Sequence, residues 1–291
     1  MGLREWSLLL LLAGCWGGSF LFAKLAGREI APLTLALARV GLAAATLWIV
    51  AAGLGQLRRD LPWRAFLVMG LLNNAIPFTL IFWAQTAIAA SLASILNAFT
   101  PMVTVIVAHV LTRDERLTPA KAVGVALGLA GIVTLVGPGA VRQAGGHPLH
   151  ELAVIAATLS YALAGIYGRR FRDLPAILPA AGQLTGATLL LAPVVLVAEP
   201  GAAPWHWSAP TIGAVAGLAL VSTAAAYVLY FRILATAGAT NLLLVTFLIP
   251  PVAILLGYTL LDERLAGHQF AGLIGIAAGL LVIDGRARMR R

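Results

Sequence analysis

The quartet Asp114-Glu115-Arg116-Leu117 recurs 148 residues later as Asp262-Glu263-Arg264-Leu265. At the same offset Gly124 pairs with Gly272, Gly131 with Gly279 and Gly137 with Gly285. In both halves a proline (Pro101; Pro250 with Pro251) stands shortly before the acidic pair. Each quartet interrupts long apolar sequence, so the duplicated unit is a set of membrane helices rather than a soluble module. Duplicated helix sets are how many transporters build two halves that rock about a central site. Transport is therefore the first function class the pattern brings forward.

Apolar residues make up 60% of the 291-residue chain and charged residues 11%, and the mean hydropathy is +0.94. Soluble domains carry about 25% charged residues and cannot present this much apolar surface to water. The chain reads as an all-α integral membrane protein, with spans of about 20 residues joined by loops too short for a separate soluble domain. The net charge of +9 sits in those short loops, where membrane topology places basic residues, so nucleic-acid binding is not expected. A single cysteine, Cys15, excludes an internal disulfide and makes a thiolate metal site implausible. Leu11-Leu12-Ala13-Gly14-Cys15 resembles a lipoprotein processing box, yet the apolar run continues past it to Ala23. The start is read as an uncleaved first helix.

Ten apolar segments are expected to span: 6–23, 32–53, 63–83, 91–111 and 120–136 in the first half, and 149–167, 176–198, 210–231, 242–261 and 268–283 in the second. Helix is the open form that satisfies its own backbone in lipid. With the N-terminus inside, fifteen of the 20 Lys and Arg fall in inner segments and four (Lys24, Arg28, Arg142, Arg264) in outer ones, while Arg39 lies within the second span. That bias predicts both termini in the cytoplasm. Five spans per half is an odd number, so the second half enters the membrane the other way up. The expected architecture is ten transmembrane helices in two five-helix inverted-topology repeats, residues 1–142 and 143–291, with a site near the midplane between them.

Further motifs carry a resemblance. Trp16-Gly17-Gly18-Ser19-Phe20 with Lys24 in the first helix, Pro32 and Arg39 in the second, and Asn73-Asn74 in the third are in the expected order. So are Ala90-Ser91-Leu92-Ala93-Ser94, Pro101 and Glu115 around the fourth, with a looser echo in Pro250, Glu263 and Gly272. Together they resemble the drug/metabolite transporter superfamily, EamA type, over nearly the whole chain. The resemblance implies a ten-helix carrier in the bacterial inner membrane that exports small metabolites, bacterial amino-acid exporters being the nearest comparison. The fold also carries sugars, purines and drugs, so substrate transfers least.

Ser94, Asn97, Pro101 and Thr104 fall at i, i+3, i+7 and i+10, one face of a continuous helix. A polar stripe interrupted by proline faces protein or water rather than lipid. It is read as a cavity wall, against the alternative of helix–helix hydrogen bonds worth about 0.6 to 2 kcal/mol each. Asn73 and Asn74 cannot both face one way on an α-helix, so one is expected to bond a neighbouring helix and the other to meet the cavity. Trp16 lies too deep for an interfacial anchor, and Tyr161 holds the matching place on the sixth helix. Thr223, Tyr227 and Tyr230 share a face on the eighth. Ser19, Phe78 and Trp83 complete the expected substrate-binding set, with packing alone as the alternative for each aromatic. An apolar cavity with aromatic walls and a few amides suits a zwitterion with an apolar side chain.

All 11 acidic residues lie in loops or at span ends, so the usual intramembrane carboxylate of proton- or cation-coupled carriers is missing. His109 is read as a histidine bonded at a helix end. His147 and His150 lack a third ligand, and no His-Glu-x-x-His or Gly-x-Ser-x-Gly stands in a span. Neither an enzyme nor a cofactor or metal is expected. The expected partners are a small-molecule substrate and the lipid bilayer. Export of drugs, sugars or purines on the same fold, and a membrane scaffold without transport, are the other readings.

Overall fold

The computed structural model describes residues 1–88, 90–115, 117–142, 144–200, 207–260 and 267–284, with side chains except those of residues 20, 21, 24, 82, 90, 91, 94, 140, 253–260 and 284. The second quartet, Trp205, Arg116 and the C-terminal arginines lie outside the described residues, as do the side chains of Ser94 and Lys24.

Every regular element among the described residues is helical. In chain order they are α1 (Leu3–Ala26), α2 (Pro32–Gly53), α3 (Trp63–Gly70), a π turn (Leu71–Ala75), α4 (Ile76–Ala84), α5 (Ala90–Asn97), α6 (Thr100–Leu111), α7 (Pro119–Val136) and the short α8 (Pro138–Val141). There follow α9 (Pro148–Gly168), α10 (Ile177–Ala198), α11 (Ala209–Ala219), a second π turn (Leu220–Ala225), α12 (Ala226–Leu243), α13 (Val245–Leu260) and α14 (Gly267–Asp284). Six of the helical runs are long and apolar enough to cross a membrane: 32–53, 63–81, 119–136, 148–171, 177–198 and 209–243. The chain is a multi-pass membrane protein.

Prolines and short polar side chains set many of the starts. Pro32, Pro119, Pro148 and Pro210 stand in the first turn, where a missing N–H costs nothing. Thr118 Oγ1 accepts the Lys121 N–H (3.3 Å) and Ser208 Oγ that of Thr211 (3.4 Å), the usual N-cap bonds. For α2 the cap comes from far along the chain: the Glu199 carboxylate accepts the N–H groups of Leu33 (3.1 Å) and Thr34 (2.7 Å).

One expected span is broken and one expected loop is helical. The fourth splits into α5 and α6 at Ala98-Phe99, one residue before Thr100-Pro101 open the new helix, so the polar stripe does not continue across it. The segment after Phe231, expected to be a loop around Arg232, is instead helical to Leu243 and interrupted at Gly238, whose φ is +78°. A φ in that region favours glycine.

The Gly238 break exposes backbone N–H groups that Glu115 satisfies. Its carboxylate accepts from Ala239 (2.9 Å) and Thr240 (2.8 Å) and is only 13% exposed. Arg169, at the end of α9, forks onto Asp114 and lies 3.7 Å from Glu115. The first acidic pair thus ties the ends of α6 and α9 to the break in α12.

The helices α7 and α14 pack antiparallel through glycine. A Cβ added at Gly131 would stand 2.5 Å from the Ile276 nitrogen and 2.9 Å from the Gly272 carbonyl oxygen, and one at Gly124 would lie 2.7 Å from the Gly279 oxygen. Small residues are what let membrane helices approach this closely.

Candidate functional site

Helices from both halves of the chain enclose a cavity of about 200 Å³. Trp16 and Ser19 of α1, Arg39 of α2, Asn73 of the first π turn, and Phe78 and Ile81 of α4 form one part of its wall, with Gln85 just beyond α4. Ala93 and Asn97 of α5, Tyr161 of α9, Tyr227 and Tyr230 of α12, Leu243, and Thr246, Ile249 and Pro250 of α13 close the rest. The cavity is small, below the roughly 300–1,000 Å³ of drug-sized pockets.

The aromatic part of the wall is a cluster. Trp16 meets Tyr227 edge-on at 6.0 Å between ring centres and Tyr230 at 6.3 Å, and the two tyrosines are 5.7 Å apart. These separations are the favourable range for edge-to-face pairs, so the rings hold one another while presenting surface to the cavity. Ser19 Oγ is turned to its own helix, donating to the Trp16 carbonyl (2.6 Å).

The two π turns shape the polar part. In the first, the adjacent amides bond two different helices: Asn73 Nδ2 donates to Gln183 Oε1 on α10 (3.0 Å), and Asn74 Nδ2 donates to the Tyr227 hydroxyl on α12 (2.6 Å). Asn73 borders the cavity as well as bonding a neighbour. Asn74 is fully buried behind Tyr227 and outside the lining. One of the pair thus meets the cavity while the other bonds a neighbouring helix. In the second π turn, Thr223 Oγ1 accepts from Arg39 Nε (3.1 Å) and the Ser222 carbonyl accepts from Arg39 Nη2 (3.4 Å). The guanidinium also stands 5.2 Å from the centre of the Phe78 ring. Thr223 therefore serves the site through Arg39.

Asn97 Oδ1 and the Tyr230 hydroxyl are buried without a hydrogen-bond partner, and both residues line the cavity. Of the seven buried side-chain polar atoms without a partner among the described residues, these two belong to residues of the cavity wall, where a ligand or water can satisfy them.

Of the other expected residues, Pro101 and Thr104 are buried on α6 outside the lining, and Thr104 Oγ1 donates to the Thr100 carbonyl (2.7 Å). Trp83 is 47% exposed and stacks on His150 at 4.3 Å, away from the cavity. Ser94 lies outside the described side chains. His109 accepts the Leu117 N–H at the end of α6 (3.4 Å). Among the described residues no three His, Cys, Asp or Glu converge as metal ligands. Sequence reasoning noted Arg39 as a charge within a span but did not place it in the site. That lone intramembrane arginine was itself the available signal. Pro250 was visible as the repeat counterpart of Pro101, while Ile81, Gln85, Ala93, Leu243, Thr246 and Ile249 carried none.

Comparison with known proteins gives the same direction. A family model described as the EamA-like transporter family matches twice, over residues 4–137 and 149–284. The chain is 27% identical to the "Probable amino-acid metabolite efflux pump" of Escherichia coli, over 97% of this chain and 95% of that one. It is 26% identical to the "Probable terminal-alkyne amino-acid exporter" of Streptantibioticus cattleyicolor (98% and 95%) and to "Protein PecM" of Dickeya dadantii (76% and 73%). A solved crystal structure 21% identical to it superposes with a TM-score of 0.80, covering 98% of this chain and 97% of that one, a likeness of fold alone. The chain is a membrane protein of the EamA-like transporter family.

Proposed function

We propose that this transporter exports small zwitterionic metabolites, neutral or aromatic amino acids foremost, by alternating access through the cavity between its two halves. The observation that carries the reading is the wall itself. It is an aromatic cluster of Trp16, Tyr227 and Tyr230 beside two unpartnered polar atoms, around a space of about 200 Å³. Trp16, Ser19, Asn73, Phe78, Asn97, Tyr161, Tyr227 and Tyr230 are the residues proposed to meet the substrate, with Asn74 and Thr223 behind them. The relatives named for amino-acid export support the class, and at 26–27% identity they lend it no further detail. The family and its relatives are transporters and not enzymes. Export of bulky cationic drugs is disfavoured by the small space and by Arg39 in its wall.

We read the chain as ten spans in two inverted repeats, 1–142 and 143–291, with both termini in the cytoplasm of a bacterial inner membrane. Two features support the inversion. The π turns 71–75 and 220–225 occupy matching places in the two halves, and the matching helices α7 and α14 pack antiparallel. Long-range ties also agree with the charge-based sides: Asp114 with Arg169 joins two expected inner segments, and Thr34 with Glu199 two expected outer ones.

The test is a substrate panel on purified protein in liposomes: amino acids, sugars, purines and quaternary cations. Uptake of neutral or aromatic amino acids ahead of the other classes is the expected result. Preference for a quaternary cation or a sugar would replace this reading.

A further inference from the structure

Arg39 is a permanent cation in the wall of a cavity within the spanning region, and no carboxylate pairs with it among the described residues. An intramembrane charge is costly and normally finds a partner or marks a ligand path. The protein itself takes Nε and one Nη2 hydrogen, through Thr223 and the Ser222 carbonyl. Of the five guanidinium N–H groups three are left over, two of them side by side on the Nη1–Nη2 edge. That edge is the planar fork that matches the two oxygens of a carboxylate. Thr223 and Ser222 hold the neighbouring Nε–Nη2 edge and Phe78 lies against the group, so the fork is fixed before any ligand arrives.

We infer that Arg39 is the carboxylate anchor of the cavity: it pairs with the carboxylate of a small carboxylic-acid solute whose apolar part lies against Trp16, Tyr227 and Tyr230. A single cation balances a single carboxylate, whereas a phosphate dianion would carry net negative charge into a wall with no second cation among its lining residues. Asn97 Oδ1, an acceptor without a donor, is available to an ammonium group where the solute is an amino acid. This inference rests on the transport reading and narrows it, since it makes the carboxylate obligatory and the amine dispensable.

The experiment is counterflow of labelled L-phenylalanine into liposomes containing the purified full-length protein. Its competitors are 3-phenylpropionate (carboxylate without amine), phenylalaninamide (amine without carboxylate) and phenyl phosphate. Competition by 3-phenylpropionate and not by the amide or the phosphate is expected. Arg39→Gln is expected to raise the half-saturating concentration about tenfold or more, the usual worth of a charge-assisted bond, and to abolish the preference for the carboxylate; Arg39→Lys is expected to keep part of it. A merely structural arginine would lower flux in these variants without changing which competitor works. Equal competition by the amide or the phosphate in the wild type overturns the anchor, as does an Arg39→Gln protein that still discriminates. Should Arg39→Gln fail to fold, Arg39→Lys and the wild-type competition decide. Were the wild type to move no amino acid but to take up labelled 3-phenylpropionate in an Arg39-dependent way, the anchor would stand and the amino-acid reading would fall. Uptake of neither would overturn both.

Discussion

Glu115 accepts the backbone N–H of Ala239 at 2.9 Å across a sequence separation of 124 residues. The bond caps a helix restarted at Gly238, whose added Cβ would lie 2.6 Å from the same Glu115 oxygen and whose φ of +78° disfavours any side chain. Gly238→Ala and Glu115→Ala are therefore expected to disturb one structural unit. Loss of a cap costs about 0.5–2 kcal/mol. Both variants should lower the unfolding temperature in detergent, and the double variant should lose less than the sum of the two. Fully additive losses would show that the cap and the break are independent.

The neighbouring pair responds to acid. The hydrogen bonds from Arg169 hold the Asp114 carboxyl below its usual range. A depressed carboxyl contributes stability above its unfolded pKa of about 3.9 and loses it as pH falls through the lower, folded value. The stability gap between wild type and Asp114→Asn should be constant from neutral pH to about 5 and close only below about 4. It should also be small, within about 1 kcal/mol and reduced by salt, because Asp114 is largely exposed. A gap that closes between pH 7 and 5 would point to a different titrating group.

The glycine contact between α7 and α14 sets a limit on volume. Gly131→Val would drive a side chain into the Ile276 and Gly272 backbone. Overpacking typically costs about 1–3 kcal/mol. A lower unfolding temperature in detergent is the expected outcome, whereas Gly14→Val, with open space around it, should be tolerated.

Much of this arrangement was legible before any coordinates. Long apolar runs gave the helices, because burial in lipid leaves the backbone few alternatives, and the depth of Trp16 set it apart from the interfacial tryptophans. Local geometry was not legible. A π turn inserts one residue without a composition signal, so which of Asn73 and Asn74 meets the cavity could not be read from an α-helical wheel. The fourth span reads as one continuous helix through Pro101, so the break at Ala98-Phe99, and with it the place of Thr104 outside the cavity, was not legible. Arg39 was visible as a charge within a span. Its place depends on Ser222 and Thr223, 183 and 184 residues away, a pairing that only the folded chain reveals.

For the site itself, Asn97→Ala and Trp16→Ala are expected to reduce transport sharply. Asn97 Oδ1 has no partner to lose, so its truncation should leave detergent stability near normal. Trp16 is only partly buried beside the cavity, so its truncation should cost less than the roughly 3–5 kcal/mol for an aromatic residue truncated in a packed core. Poor folding of both variants would make these residues structural. Normal folding with normal transport would place the substrate on another face of α1 and α5.

Orientation is open to direct observation. Reporters fused after Arg142 and after Pro200 should read as outside, and one fused at Arg291 as inside, following the bias of the basic residues. An inside signal at Arg142 would dismiss the inverted arrangement.

The central claim is that a small zwitterion passes through this cavity without a carboxylate to couple it. Among the described residues the acidic side chains stand at helix ends or in loops, which leaves no intramembrane carboxylate to carry a proton. The most direct measurement is downhill flux of a labelled neutral or aromatic amino acid in liposomes holding the purified protein, with no imposed proton gradient. Flux is predicted to appear under that condition and to fall in Asn97→Ala. Flux that arises only when a pH gradient is applied, and that survives His109→Ala, would contradict it.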